Sequence, residues 1–324
     1  MKLLIPGGAG YIGSHMVRYA QERDHEVVVL DDFSTGHEWI IKDCEVLNVN
    51  LLDQDKLSKI LSGRTFDGVI HFAAKSLVGE SVKKPGLYYR NNVIGSLNLF
   101  NEMFKNGVNN LVFSSTAAIF GNPLEDKIAE AHPKNPINPY GHSKYMVETM
   151  LKDICLAYDF NAICLRYFNA AGAHISGEIG EAHNPETHLI PNILKAALSN
   201  SSNLKVFGND YPTHDGTCVR DYIHVTDLAQ AHLLGLEYME KNKGFSAFNL
   251  GNSDGFSVLD IINCCENITS TKILYEIKER RDGDPSVLIS DNSLAKKALG
   301  WNPNYSDINS IIKSAWSWHK RQKC

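Results

Sequence analysis

The sequence contains no apolar run long enough to cross a bilayer, no C-x-x-C pair, no internal repeat and no low-complexity tract. A spanning helix needs about 20 consecutive apolar residues, so no membrane partner is expected. The opening apolar run is too short for the core of a secretion signal, which leaves a cytoplasmic location as the expectation. An excess of positive charge is also missing: 32 Lys and Arg face 37 Asp and Glu, a net charge of −5. That balance argues against a nucleic-acid partner. Seven cysteines, Cys44, Cys155, Cys164, Cys218, Cys264, Cys265 and Cys324, scatter without zinc spacing and read as reduced thiols. His183 and His188 flank residues 184–187 and read as loop histidines, so no metal is expected.

What is present is enough material for one large core or two modest ones: 324 residues, 43% of them hydrophobic. Strand-like runs at 2–6, 26–31, 68–73, 110–115 and 162–167 alternate with helical stretches. The alternation predicts an α/β fold of Rossmann type, a doubly wound parallel sheet with ligands at the carboxyl ends of its strands. After Asn169 the pattern loosens into loops. The reading is a dinucleotide-binding domain over 1–168 and a smaller mixed α/β substrate domain over 169–324, with some segments of the latter returning to the first.

The run Leu3-Leu4-Ile5 stops at Pro6 and opens into Gly7-Gly8-Ala9-Gly10-Tyr11-Ile12-Gly13. A strand, a bare turn and a helix N-terminus make an anion site, because backbone N–H groups and the positive end of the helix dipole point at the occupant. The glycines fit G-x-G-x-x-G from Gly8, or G-x-x-G-x-x-G from Gly7. Either spacing also occurs at an ordinary strand-to-helix turn, so its meaning comes from its neighbours.

The next strand, Glu26 to Leu30, ends in Asp31, about 20 residues beyond the glycines, where a dinucleotide fold places its ribose carboxylate. A carboxylate there accepts from a ribose 2′-hydroxyl and repels a 2′-phosphate. Residues 32–36 offer no Arg or Lys to offset that repulsion. NAD is therefore expected in preference to NADP.

Further along, a strand ends in Ser114-Ser115-Thr116, and Asn138-Pro139-Tyr140-Gly141-His142-Ser143-Lys144 follows. Asn138 suits a helix cap and Pro139 the first helical position, so Tyr140 and Lys144 share a face of a helix running to about Tyr158. A tyrosine titrates near 10, and work as a base at neutral pH requires about 4 kcal/mol of differential stabilisation of its phenolate. A neighbouring ammonium supplies part of this, and Thr116 is placed to relay the proton.

With these motifs in order, the chain resembles the extended short-chain dehydrogenase/reductases, and within them the UDP-glucose (UDP-galactose) 4-epimerase family. The likeness runs through GGAGYIGSH, HFAAKSLVGES, YYRNNVIGSLNL, FSSTAAIFG, PYGHSKYMVE, RYFNAAGA, FGNDYPTHDGTCVRDYIHVTDLA and RRDGDP. It implies an isomerase that interconverts UDP-galactose and UDP-glucose by transient oxidation at C4 of the sugar, with NAD held as a prosthetic group. By the same resemblance Gly7, Gly10, Tyr11, Ile12 and Gly13 wrap the NAD pyrophosphate and Asp31 holds the adenosine ribose. Asn50, Leu51, Phe72, Ala73, Ala74 and Asn91 line the cofactor further along, Asn50 near the adenine. Thr116, Tyr140 and Lys144 form the catalytic set, and Phe168 lies beside the nicotinamide. Asn169, Arg220 and Arg281 engage the UDP diphosphate, Phe207 and Asp284 shape the nucleotide site, and Leu288 falls where such enzymes vary a residue beside the sugar.

Some positions depart from the commonest family pattern: Pro6 for Thr, Asn50 for Asp and Phe120 for Tyr. None removes a reacting group. A 4,6-dehydratase on the same scaffold needs an acid pair after the catalytic Thr, and Ala117 and Ala118 stand there instead. An epimerase of another UDP-sugar, N-acetylated or pentose, uses the same catalytic residues and remains open, as does a non-catalytic NAD-binding module. The resemblance also implies a homodimer through the segments Asn92–Lys105 and Ser143–Tyr158. These carry Val93, Leu97, Phe100, Phe104, Met146, Met150 and Ile154 at roughly helical spacing.

Overall fold

The computed structural model describes residues 1–199, 204–281 and 284–322. Cys324, and Asp282 and Gly283 of the RRDGDP motif, lie outside the described residues. Seven strands form the principal sheet: β1 (Lys2–Pro6), β2 (Glu26–Asp31), β3 (Glu45–Asn48), β4 (Gly68–His71), β5 (Asn110–Ser114), β6 (Asn161–Tyr167) and β11 (Phe245–Leu250). Their order is β11-β6-β5-β4-β1-β2-β3, and every pairing is parallel. The order reverses between β1 and β4, which makes the carboxyl end of that pair the switch point where a doubly wound sheet takes its ligand.

The strand residues explain why both faces are covered. Leu3, Ile5, Val27 and Val29 project to one side, against the helices Tyr11–Gln21 and Val225–Lys241 and the buried Trp301. Leu4, Val28, Leu30, Leu111 and Phe113 project to the other, against Leu99, Phe100, Val147 and Leu151 of the helices Gly95–Lys105 and Pro139–Ala157. Side chains alternate along a strand, so an unbroken apolar run buries both faces. Strands 68–73 and 110–115 of the sequence reading end two residues and one residue earlier than expected.

Two strands escaped the sequence reading. In β3 only Leu47 is buried, and β11 mixes Ser246 and Asn249 with its apolar residues. An exposed edge strand such as β3, and a strand such as β11 whose polar residues interrupt its apolar ones, carry no sustained apolar signal. The return of β11, with the helix Val225–Lys241, sends part of the later chain back to the principal sheet.

Three small sheets complete the fold. These are β7 (Asn169–Ala171) with β10 (Tyr222–His224), β8 (Leu204–Phe207) with β13 (Tyr275–Lys278), and β9 (Val219–Arg220) between β12 (Phe256–Ser257) and β14 (Val287–Leu288). A separate core of Ile193, Leu194, Val206, Ile261, Ile262 and Ile311 holds this part together. Among the described residues the six cysteines are free, and no helix is long and apolar enough to cross a membrane.

The long VRDYIHVTDLA motif is mainly a set of internal ties. Asp221 is fully buried and accepts from the backbone N–H groups of Asn252 (2.7 Å), Ser253 (3.1 Å) and Ser290 (3.0 Å), and from the Ser290 hydroxyl (2.6 Å). Asp227 accepts in the same way from Asn304, Tyr305 and Ser306. Burial pushes the Asp221 carboxyl up to about 6, although those hydrogen bonds favour the anion. Replacing it strands four donors, so Asp221→Ala should lower the unfolding free energy by roughly 3–5 kcal/mol in urea titrations. A loss below about 1 kcal/mol would contradict this account.

Candidate active site

At the glycine turn, Gly7 sits at φ +80° and donates its N–H to the Leu30 carbonyl at 2.8 Å. Pro6, which has no N–H to give, ends β1 just before it and accepts from Phe72 and Ala73. A Cβ on Gly7 would lie 2.4 Å from the Ala73 nitrogen, and one on Gly13 would lie 2.1 Å from the Gly7 carbonyl oxygen. Both glycines are demanded by backbone packed on backbone. Gly10 is different: nothing approaches its missing Cβ closer than 3.4 Å, yet it caps the helix Tyr11–Gln21 and faces the large cavity.

The chain therefore leaves Gly10 bare for something other than its own packing. The helix behind it has no side-chain cap and no acid in its first turn, so its N-terminus is open to an anion. This cradle fits a dinucleotide pyrophosphate. Gly8 faces elsewhere, its missing Cβ 2.9 Å from the Val29 side chain. The working triplet is Gly7, Gly10 and Gly13.

Across the cavity, the helix Pro139–Ala157 begins as its sequence predicts. Asn138 accepts from the Gly141 N–H at 2.9 Å and Pro139 takes the first position. That phase puts Tyr140, Lys144 and Glu148 on one face. The Tyr140 hydroxyl is hydrogen-bonded to Thr116. Lys144 is buried and donates to the Ser114 carbonyl at 2.8 Å, with its ammonium 4.7 Å from the centre of the Phe113 ring.

Burial dominates the electrostatics here. It brings Lys144 down to about 7, against the opposing pull of Cys164 and Glu148. It also raises the Tyr140 phenol, with the Thr116 hydrogen bond acting the other way. The chain alone thus moves Tyr140 away from phenolate, with Thr116 the group that works against burial.

One cavity of about 1290 Å³ gathers most of the residues singled out in the sequence. Gly7, Gly10, Tyr11, Ile12, Gly13, Phe72 and Ala74 form one wall, and Thr116, Tyr140, Lys144 and Phe168 the base. Asn169, Phe207, Arg220, Arg281, Asp284 and Leu288 line the opposite side. There Arg220 pairs with Asp284, Arg281 lies 4.0 Å over the Phe207 ring, and the Asn169 amide donates to the Asp221 carbonyl at 2.8 Å. Ala117 and Ala118 also face the cavity, so no acid follows Thr116.

Five expected residues do not line this cavity: Asp31, Asn50, Leu51, Ala73 and Asn91. The Asp31 carboxylate accepts from the Ala9 and Phe33 N–H groups, both at 2.9 Å. Asn50 donates to Asp32, Leu51 is buried, Ala73 is tied to Pro6, and Asn91 donates to Asn92. The sequence reading missed Asn92, whose amide holds both the N–H and the carbonyl of Lys75 and also Ser143. It missed Tyr167, which bonds Ser114 and lines the cavity, and it set His183 and His188 aside although both line the rim with Glu186. Spacing along the chain carries no signal for partners this distant.

Comparison with known proteins agrees with this geometry. A curated protein of Halalkalibacterium halodurans named UDP-glucose 4-epimerase is 47% identical over 320 residues, covering 99% of this chain and 96% of that one. The crystal structure of UDP-glucose 4-epimerase from Brucella ovis in complex with NAD superposes with a TM-score of 0.94 at 43% identity, covering 97% of each chain. That of the Bifidobacterium longum enzyme with NAD+ and UDP gives 0.94 at 35% identity, over 100% of this chain and 99% of the other. Residues 3–251 match the family model as well, and the chain belongs to the NAD dependent epimerase/dehydratase family.

Proposed function

We propose that the protein is a UDP-glucose 4-epimerase, which inverts C4 of the sugar in UDP-galactose and UDP-glucose by transient NAD-dependent oxidation. The observation that carries this is the sharing of one cavity by the glycine turn, the Thr116–Tyr140–Lys144 set and two arginines suited to phosphate. Bound NAD supplies a reversible oxidising equivalent at C4 and, when oxidised, a cationic ring that favours the phenolate. Gly7, Gly10 and Gly13 hold its pyrophosphate against the helix N-terminus, and Asp31 selects its unphosphorylated ribose. Phe72, Ala74 and Phe168, which line the cavity, border the rest of it.

On the substrate side, Tyr140 takes the proton of the sugar 4-hydroxyl and Thr116 orients that hydroxyl. Lys144, whose pKa burial lowers to about 7, completes the catalytic set on the same helix face as Tyr140. Arg220 and Arg281, with Asn169, anchor the diphosphate while the oxidised sugar turns over within the cavity. Arg220 leaves Asp284 to do so, and Phe207 and Leu288 bound the nucleotide and the sugar. The dinucleotide part of this division of labour rests on 1–168 and the returning segments, and the sugar-nucleotide part on the remainder of 169–324. We place the enzyme in the cytoplasm.

The direct test incubates purified protein, with no NAD added, separately with UDP-galactose and UDP-N-acetylgalactosamine. Conversion of the first to UDP-glucose is expected, and loss of about 10²–10⁴-fold in kcat with cofactor retained in Tyr140→Phe. An inert wild-type protein sinks the reading. A specificity constant for the N-acetylated sugar at or above that for UDP-galactose moves it to the other UDP-sugar.

Burial of Lys144 gives a pH signature. Its pKa lies near 7 folded against 10.5 for a free lysine, so between those values the unfolded chain holds a proton that the folded chain has released. The burial cost is complete below about pH 7 and is relieved as pH rises, making the fold more stable with rising pH across that window. In cofactor-free protein, Lys144→Met should flatten this part of the stability curve. Parallel curves for the two proteins would exclude it.

A homodimer is the assembly we favour. Of the residues named for it, Phe100 is fully buried and Val93, Phe104, Met150 and Ile154 pack on the sheet, but Leu97 and Met146 are 41% and 46% exposed. Ile94, Tyr145 and Val82 add exposed apolar surface on the same group of helices. Light scattering should give twice the 36.1 kDa chain mass, falling to one chain in a Leu97→Glu/Met146→Glu variant. A monomeric wild-type protein would refute the assembly.

A further inference from the structure

Within residues 181–188 the chain brings together Glu181, His183, Glu186 and His188, the last three lining the cavity. Glu181 is held in place because its carbonyl accepts from the Trp318 indole at 3.1 Å, and the neighbouring Ala182 carbonyl meets His37 Nε2 at 2.8 Å. Its carboxylate Oε1 lies 3.0 Å from His183 Nδ1 and 2.7 Å from His188 Nδ1. Glu186 enters from the other side. Its Oε1 accepts from the N–H groups of Thr187 and His188, at 2.8 and 2.9 Å.

The remaining oxygen of Glu186 is the anomaly. Its side chain is 4% exposed, and Oε2 is buried without a hydrogen-bond partner; His183 Nδ1 and Lys195 Nζ are each 4.0 Å from it, and the His188 imidazole meets only the other oxygen, at 2.9 Å. A buried anionic oxygen with nothing to accept from is expensive to maintain. One ligand atom from each of Glu181, His183, Glu186 and His188 lies within 4.8 Å of all the others.

We propose that Glu181, His183, Glu186 and His188 form a binding site for a first-row divalent cation, zinc by preference. Two imidazole nitrogens and two carboxylate oxygens suit such an ion. Magnesium and calcium want oxygens alone and more of them, and no thiolate is present to select a softer metal. Two carboxylates balance a 2+ charge, and the ion takes the place of the protons that now link the imidazoles to the carboxylates. Four protein ligands close the coordination shell, which makes the ion structural. It clasps residues 181–188 between Tyr11, whose ring lies 6.1 Å from that of His183, and the helix beginning at Leu189. The inference does not depend on which sugar the enzyme prefers.

The test uses the enzyme as purified, with its cofactor, stripped of loosely held metal and then titrated with zinc or cobalt. Elemental analysis after gel filtration should find about one zinc per chain, and the cobalt form should show visible bands of a tetrahedral site without a thiolate charge-transfer band. Glu186→Gln and His183→Ala/His188→Ala should each weaken zinc retention by at least about tenfold while keeping the cofactor. The proposal fails if the wild-type protein retains no stoichiometric zinc, if Glu186→Gln retains it undiminished, or if cobalt reports a cysteine ligand. Because the wild-type titration and the conservative Glu186→Gln decide the matter, a double variant that does not fold leaves it no less exposed.

Discussion

The buried Glu148 carboxylate ties the reacting groups together. It sits one turn beyond Lys144, accepts from the Ser115 hydroxyl at 2.5 Å on one oxygen, and is gripped by the Arg166 guanidinium at 2.6–3.2 Å. Ser115 directly precedes Thr116, and Arg166 lies on the adjacent strand β6. One anion therefore sets the distance between the helix that carries Tyr140 and Lys144 and the strand end that carries Thr116. A buried ion pair is poor evidence for added stability, since desolvation consumes much of what the pairing returns. Its effect here is positional: removing either charge would leave the other stranded next to the chemistry.

The same dryness governs proton transfer. Burial lowers Lys144 and raises Tyr140, so the protein alone stores its proton inventory in the least reactive arrangement. On the role proposed for Tyr140, a cationic ligand would supply the charge that favours its phenolate. A site built this way is quiet until it is filled, and suits an enzyme that must not release a half-finished product. The open helix N-terminus at Gly10 and the arginines Arg220 and Arg281 face the same cavity.

How much of this was legible in the sequence depended on the reach of each interaction. The glycine turn could be read because backbone contacts at Gly7 and Gly13 admit no side chain. The Tyr140 and Lys144 face could be read because Asn138 and Pro139 fix the helical phase. The α/β class followed from apolar runs that bury both faces of a sheet. Strand β3 was silent because most of it is open to solvent, and β11 because Ser246 and Asn249 interrupt its apolar residues. Asp221 and Asp227 stood within a recognisable motif, but their work as ties to residues 252–306 is visible only in the folded chain. The pairing of Glu148 with Arg166 was equally hidden, and His183 and His188, noted as a pair but read as loop histidines, gave no sign that Glu181 and Glu186 would close on them. A carboxylate in a sequence does not say whether it will face water.

The central claim is that one hydrogen leaves C4 of the sugar and comes back to the same carbon without meeting solvent. It is tested most directly by following UDP-galactose deuterated at C4 through turnover in ordinary water. Deuterium should be found undiminished at C4 of the UDP-glucose produced. Its replacement by solvent hydrogen would contradict the account.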